Sequence, residues 1–272
     1  MTRSGAGAVS GLLAGSASWG VFWGGWAALL PGVKEQAGVS TAALGLALFA
    51  IPVGALPGML GMGRVFDRYG RPAFGVALGV FAVVAALPGI ASGVWALAGS
   101  LLLVGAASGA IEVGLNAAAA AEEAASGRRL FNAVHAATPV AMIVAAPLAG
   151  AARQFGATPA AVLLVVAMIV AASAVPNLAT AGQRRASPTP NGSPISSGVP
   201  ASSGVPASSG SPTSGNASRG RFMFSLRPVL YGLAGALVLF MENAVEQWSA
   251  VLLDVELGAT AFVASLGPAG YM

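Results

Sequence analysis

An all-α bundle of membrane-spanning helices is the fold class this sequence predicts, on three observations. Apolar residues make up 56% of the chain and the mean hydropathy is +0.79. Charged residues amount to only 8%, against about 25% in a soluble domain. The apolar residues fall in runs of roughly 20, the length that crosses a hydrocarbon core of ~30 Å at 1.5 Å per residue. Several function classes drop out at once. The net charge of +4 comes from basic residues in short stretches between apolar runs, not from a basic face, so no nucleic-acid partner is expected. The chain has no cysteine, one histidine and nine scattered carboxylates. That excludes disulfides and thiolate chemistry and offers no metal-ligand spacing. The glycine-rich stretches lie within apolar runs and follow no strand, so no phosphate-cradling loop is present. No cofactor and no enzymatic activity are expected; a lipid bilayer is the expected surrounding.

The first run, residues 9–30, holds Trp19, Trp23 and Trp26 and is closed by Pro31, Gly32 and the polar Lys34, Glu35 and Gln36. Its length and tryptophans mark a retained helix rather than a cleaved leader, with the indoles at the interface or facing lipid, or else stacked on a sugar ring. The second run, residues 41–60, contains Pro52 and Pro57, which spanning helices tolerate when neighbours satisfy the freed carbonyls. A short polar turn over residues 61–71 separates it from a third run at 73–91. The fourth, fifth and sixth runs cover residues 94–118, 133–152 and 159–178, with Glu122, Glu123, Arg128 and Arg129 in the turn between the fourth and fifth. Six spans therefore occupy residues 1–178.

Residues 179–221 shift to serine, glycine, proline and threonine, with the hexapeptide starting at Ser197 repeated from Ser203. Such a segment lacks the apolar content to offset its ordering entropy and reads as a flexible linker. Residues 222–272 return to apolar sequence: a seventh run at 228–253 with Glu242, Glu246 and Trp248, and an eighth from 260 to Met272. Its 13 residues reach about 20 Å, too short to cross, so the sequence is expected to end inside a helix, as a fragment does.

Orientation follows from the basic residues in the short loops. With the amino terminus cytoplasmic, eleven of the 13 basic residues lie inside and only Lys34 and Arg153 lie outside. A multi-pass protein of the cell membrane is the expectation. Close helix packing is signalled by small-xxx-small pairs: Gly20 with Gly24, Gly54 with Gly58, Gly75 with Gly79, and Gly105 with Gly109.

The turn at residues 61–71 carries Gly63, Arg64, Asp67, Arg68, Gly70 and Arg71. Gly63, Asp67, Arg68, Gly70 and Arg71 fill a G-x-x-x-D-R-x-G-R pattern that resembles the loop between helices 2 and 3 of major facilitator superfamily (MFS) transporters. Six helices, a long cytoplasmic linker and further helices is also how MFS chains divide. The resemblance implies an MFS-type six-helix half plus the start of a second half. It also implies that Asp67, Arg68 and Arg71 form a conformational lock bridging to the opposite half. The positive-inside rule alone accounts for the arginines, though not for Asp67 and the paired glycines.

Carboxylates inside spans are the candidate functional residues, because a charge at mid-bilayer costs about 2.5–3.5 kcal/mol or more. Glu112 and Asn116 are four apart and share one face of the fourth span. His135 opens the fifth span at a similar depth. The three form either a site for solute and proton or a hydrogen-bonded tie between two helices. The segment from Gly109 to Asn116, with Glu122 and the stretch from Phe131 to His135, resembles an uncharacterised bacterial inner-membrane branch of the MFS. The E-x-x-x-N spacing is similar to that of fucose:proton symporters, which implies proton coupling at Glu112 and solute contact at Asn116. Those symporters also carry an acid in their first helix, and the first span here has none. Glu242 and Glu246, also four apart, sit in a stretch that resembles the same branch. Glu242 is expected past mid-membrane and Glu246 either beside the cavity or hydrated near the outer surface. The expectation is a secondary transporter of a sugar-like or drug-like solute, with proton coupling through Glu112 or Glu242. The alternatives are a non-transporting membrane sensor or scaffold, or an inactive transporter fragment.

Overall fold

The computed structural model describes residues 3–179 and 226–271. The linker assigned to residues 179–221, and the basic residues Arg184, Arg185, Arg219 and Arg221 used for orientation, lie outside the described residues except for Ala179. Every described element is helical: α1 (Arg3–Ala37), α2 (Thr41–Leu48), α3 (Ala50–Tyr69), α4 (Arg71–Ala85), α5 (Gly93–Ser126), α6 (Phe131–Gln154), α7 (Pro159–Ala179), α8 (Leu226–Val251) and α9 (Ala261–Tyr271). Among the described residues, five stretches are long and apolar enough to cross a membrane: residues 41–69 (α2 with α3), 71–90, α5, α6 and α7. The chain is an all-α polytopic helical bundle.

α1 is the exception among the six spans expected in residues 1–178. It is the longest helix, yet glycine, serine and tryptophan keep it outside the group that is apolar enough to span. Its position explains this. Leu12, Phe22, Trp26, Leu29, Leu30 and Val33 of α1 are fully buried, and α1 packs on α5, α6, α7, α8 and α9. A helix enclosed by other helices has little lipid to face, so its polar side chains can bond to neighbours. By contrast, Leu46, Phe49, Leu56 and Leu60 of the α2–α3 segment are exposed, as an apolar face turned to lipid would be.

Local chemistry sets the breaks. Ser40 caps α2 by accepting a hydrogen bond from the Ala43 amide. The span then breaks at Phe49 because Pro52 lacks the N–H that would bond the Leu48 carbonyl and its ring crowds that group. The expected turn over residues 61–71 is far shorter. α3 stays helical through Tyr69, and Gly70 alone reverses the chain, with φ +64°, a conformation that favours glycine. Pro72 opens α4 without needing the missing amide. α5 runs about two turns beyond the end expected at residue 118 and stops at Ser126, capped by left-handed Gly127.

The closest pairings are α3 with α5 and α1 with α6. Both are close backbone approaches at glycines. Gly20 and Gly24 of α1 lie against the Thr138 and Met142 backbone of α6. Gly54 and Gly58 of α3 lie against Leu102 and Ala106 of α5, while Gly105 and Gly109 of α5 lie against Ile51 and Ala55 of α3. Gly75 meets Leu178, but Gly79 faces open space, so that pair is not a contact motif.

The pairings carry a symmetry. Exchanging the first three spans (α1, α2–α3, α4) with the next three (α5, α6, α7) turns the α1–α6 contact into α5–α3, and α4–α7 into itself. α1 starts and α5 ends at the end of the bundle that holds Arg71, so the two triplets run in opposite senses. This is the pattern of an inverted repeat.

Candidate functional site

Polar side chains line the seams around α1. At one level Trp19 Nε1 donates to Ser108 Oγ of α5 at 3.0 Å, and Ser16 bonds Thr138 Oγ1 of α6 at 2.8 Å and the Val134 carbonyl. Ser18 pairs with Ser173 of α7 at 2.7 Å. Toward the far end, Trp26 Nε1 donates to Gln247 Oε1 of α8 at 3.0 Å. The expectation of interfacial or lipid-facing tryptophans is thus corrected for Trp26, whose ring is fully buried. A buried indole needs an acceptor for its N–H, and α8 supplies one.

Glu112 and Asn116 continue the face of α5 that begins at Ser108, one and two turns nearer the Arg71 end. Glu112 is exposed and Asn116 half-buried, with its Oδ1 buried and without a hydrogen-bond partner. His135 is exposed; its Nδ1 lies 3.0 Å from the Phe131 carbonyl and its ring stacks on Phe131 at 4.1 Å. No hydrogen bond or ion pair joins Glu112, Asn116 and His135 among the described residues. On α8, Glu242 is exposed and Glu246 half-buried, its Oε1 buried without a partner. Next to it, Gln247 reaches α1, and Trp248 lies against Gly45 of α2.

The residues expected to form the lock divide. Asp67 and Arg68 are exposed, Arg68 lying over the Tyr69 ring at 5.5 Å, while Gly63 and Gly70 are half-buried. Arg71 turns inward. Its Nη1 meets Glu122 Oε2 of α5 at 3.2 Å, and its Nη2 bonds Asn177 Oδ1 of α7 at 3.3 Å and the Ala8 carbonyl of α1. Asn177 also donates to the Gly11 carbonyl at 2.8 Å. One guanidinium thus joins α1, α4, α5 and α7 at a single end of the bundle. Gly11, without a side chain, leaves room for Arg71 and Asn177 beside it.

Glu122, expected in the polar turn between the fourth and fifth spans, lies inside α5 and is 5% exposed. The signal that could have found it is helical spacing. Leu115, Ala118 and Ala119 are buried, and Glu122 follows at i+7, i+4 and i+3 on the same face. A second ion pair sits at the opposite end, between Arg153 of α6 and Asp254 after α8, at 3.0 Å. Among the described residues no cluster of His, Cys, Asp and Glu could hold a metal ion.

No family model matches this chain, and no solved structure does. Over 154 residues it is 32% identical to an uncharacterised MFS-type transporter of Yersinia pestis, a match that takes in 54% of this chain and 40% of that transporter. The chain therefore aligns with less than half the length of the curated relative. That likeness is to an MFS-type transporter, and the five stretches apolar enough to span a bilayer among the described residues agree with a multi-pass membrane setting.

Proposed function

We propose that this chain acts as a secondary transporter of the MFS type, carrying a small solute by alternating access with its Arg71 end in the cytoplasm. Residues 1–178 form the first six-helix unit, 179–221 link it to the second, and 222–272 begin that second unit. The observation that carries this reading is the inverted pairing of α1 with α6 and of α5 with α3. Secondary transporters are built from such repeats, which rock about a site near the midplane.

The solute route runs along α1, between α5 and α8. Asn116 Oδ1 and Glu246 Oε1 are buried acceptors without partners, toward opposite ends of that route, and a polar solute with hydroxyl or amine donors would satisfy each in turn as it passes. Glu112, one turn from Asn116, is the candidate for proton coupling, with Glu242 as the second acid. Asp67 and Arg68 stay exposed and available to a moving partner, so the lock role falls to them. Arg71 serves instead to hold the first unit together.

Purified chain in proteoliposomes, screened over sugars and drug-like compounds with and without a pH gradient, tests this. Gradient-driven accumulation of at least one solute is expected, and Glu112→Gln should abolish its dependence on the gradient while leaving downhill exchange. Accumulation that Glu112→Gln leaves unchanged would remove Glu112 from coupling. Failure to move any solute would remove the transport reading.

A further inference from the structure

We propose that the cavity at the Lys34 end of the bundle is a binding site for a small zwitterion, a molecule carrying one ammonium and one carboxylate. The cavity measures about 300 Å³ and is bordered by the last turn of α1, the end of α6 and the widened helical turn (Leu252–Glu256) that follows α8. That volume stands at the lower limit of ligand-binding cavities, ~300–1,000 Å³, and suits a ligand of few atoms. Four charged side chains line it, a concentration far above the 8% of the whole chain. Two of them, Arg153 and Asp254, satisfy each other at 3.0 Å and form a wall of no net charge. Lys34 and Glu35 do not. Neighbouring residues on a helix point about 100° apart and do not meet. Among the described residues, neither side chain has an ion-pair or hydrogen-bond partner.

The two free charges decide the class of ligand. An anion drawn to Lys34 would meet the Glu35 carboxylate beside it, and a cation drawn to Glu35 would meet the Lys34 ammonium. A molecule with both signs satisfies both. α1 and α6 each end at this cavity, and a helix presents about half a negative charge at its carbonyl end, so the ammonium is the more strongly held group. The rest of the lining is apolar or open. Pro31, Val39 and Val255 offer a surface for methylene groups. Gly38, with φ +64° and nothing within 4 Å of a Cβ built on it, keeps the mouth clear. Lys34 is half-buried and Glu35 exposed, so the site fills from the water at this end of the bundle and needs no movement of helices. Its lining residues are not those of the solute route proposed above, and it stands apart from the transport reading.

Isothermal titration of the purified full chain in detergent tests this with three probes: glycine, β-alanine and γ-aminobutyrate. Each is run beside its N-acetyl and methyl-ester forms, which lack one charge. Saturable binding of at least one zwitterion is expected, with its singly charged forms bound about ten-fold or more weakly, as when a charge-assisted contact is lost. Lys34→Gln and Glu35→Gln should each weaken the zwitterion by a similar factor, and added salt should weaken it in the parent chain. Since neither side chain bonds another residue, both variants should keep the parent unfolding midpoint. Glu256→Gln removes an exposed carboxylate on the same turn that does not border the cavity, and should leave binding unchanged. Absence of binding by all three probes overturns the site. So does equal binding of a singly charged form, which would make it a plain ion site. Binding that Lys34→Gln and Glu35→Gln leave untouched, or that Glu256→Gln weakens equally, overturns it as well. The readout needs no transport. A chain that binds as expected but moves no solute keeps this site and loses the transport reading; a transporting chain whose binding ignores both residues loses this site alone.

Discussion

Gly54→Ala should strip the bundle of its closest helix contact, whereas Gly79→Ala should leave it intact. Both glycines belong to small-xxx-small pairs in spanning helices, and only their surroundings differ. A Cβ on Gly54 runs into the Leu102 carbonyl of α5, and one on Gly58 into that of Ala106. These neighbours are backbone, so the clash is relieved only by moving α3 and α5 apart along their whole shared length. Overpacking of this kind costs typically 1–3 kcal/mol and occasionally more, here across the contact that α5 answers with Gly105 and Gly109. Gly79 meets nothing within 4 Å. Alanine there relieves glycine's helical disadvantage of about 1 kcal/mol. The check is the midpoint of thermal loss of monodisperse protein in detergent: a large fall for Gly54→Ala, and no fall or a small rise for Gly79→Ala. A fall shared equally by the two would mean that the α3–α5 seam is not a backbone contact.

Glu122→Ala is expected to be the most damaging single change at the Arg71 end. Removing one member of a buried pair leaves the other charge uncompensated, at about 3–5 kcal/mol. That corresponds to a fall of roughly 10 °C in the unfolding midpoint for a chain of this size. The side chains of Arg71 and Glu122 are 9% and 6% exposed, so water cannot replace the lost partner. Asp67→Asn, at an exposed neighbour in the same stretch, should leave stability within ~0.5 kcal/mol. Measuring both by the same thermal assay separates the inward-turned arginine from its exposed neighbours. Equal small effects would show that Arg71 does not hold the first unit together.

The helices were legible in the sequence because lipid imposes one simple demand, a run of apolar residues about 20 long. The same demand made α1 the hardest to place: its apolar run is visible, but nothing local says that it is enclosed. Trp26 reads as an interfacial residue until Gln247, 221 positions away, is seen to accept its N–H. Three of the four glycine pairs mark real contacts, and Gly79 shows why the fourth does not: spacing identifies a smooth face, not what lies against it. The polar motif at residues 61–71 identified Arg71 but not its direction. Its partners Glu122 and Asn177 lie 51 and 106 positions further on, joined by tertiary packing rather than by any local pattern. Glu112 and Asn116 share one face of α5, as their spacing of four predicts, whereas His135 is turned back onto its own helix.

The bundle is expected to cross a bilayer with its Arg71 end and its Lys34 end on opposite sides. Single cysteines at Arg128 and at Glu35, exposed positions at the two ends of a chain without native thiols, test it most directly with an impermeant maleimide. Glu35→Cys should react in intact cells and Arg128→Cys only in inverted vesicles, both in a membrane fraction that resists alkaline extraction. Reaction of both from the same side, or recovery of folded chain in detergent-free buffer, would contradict the account.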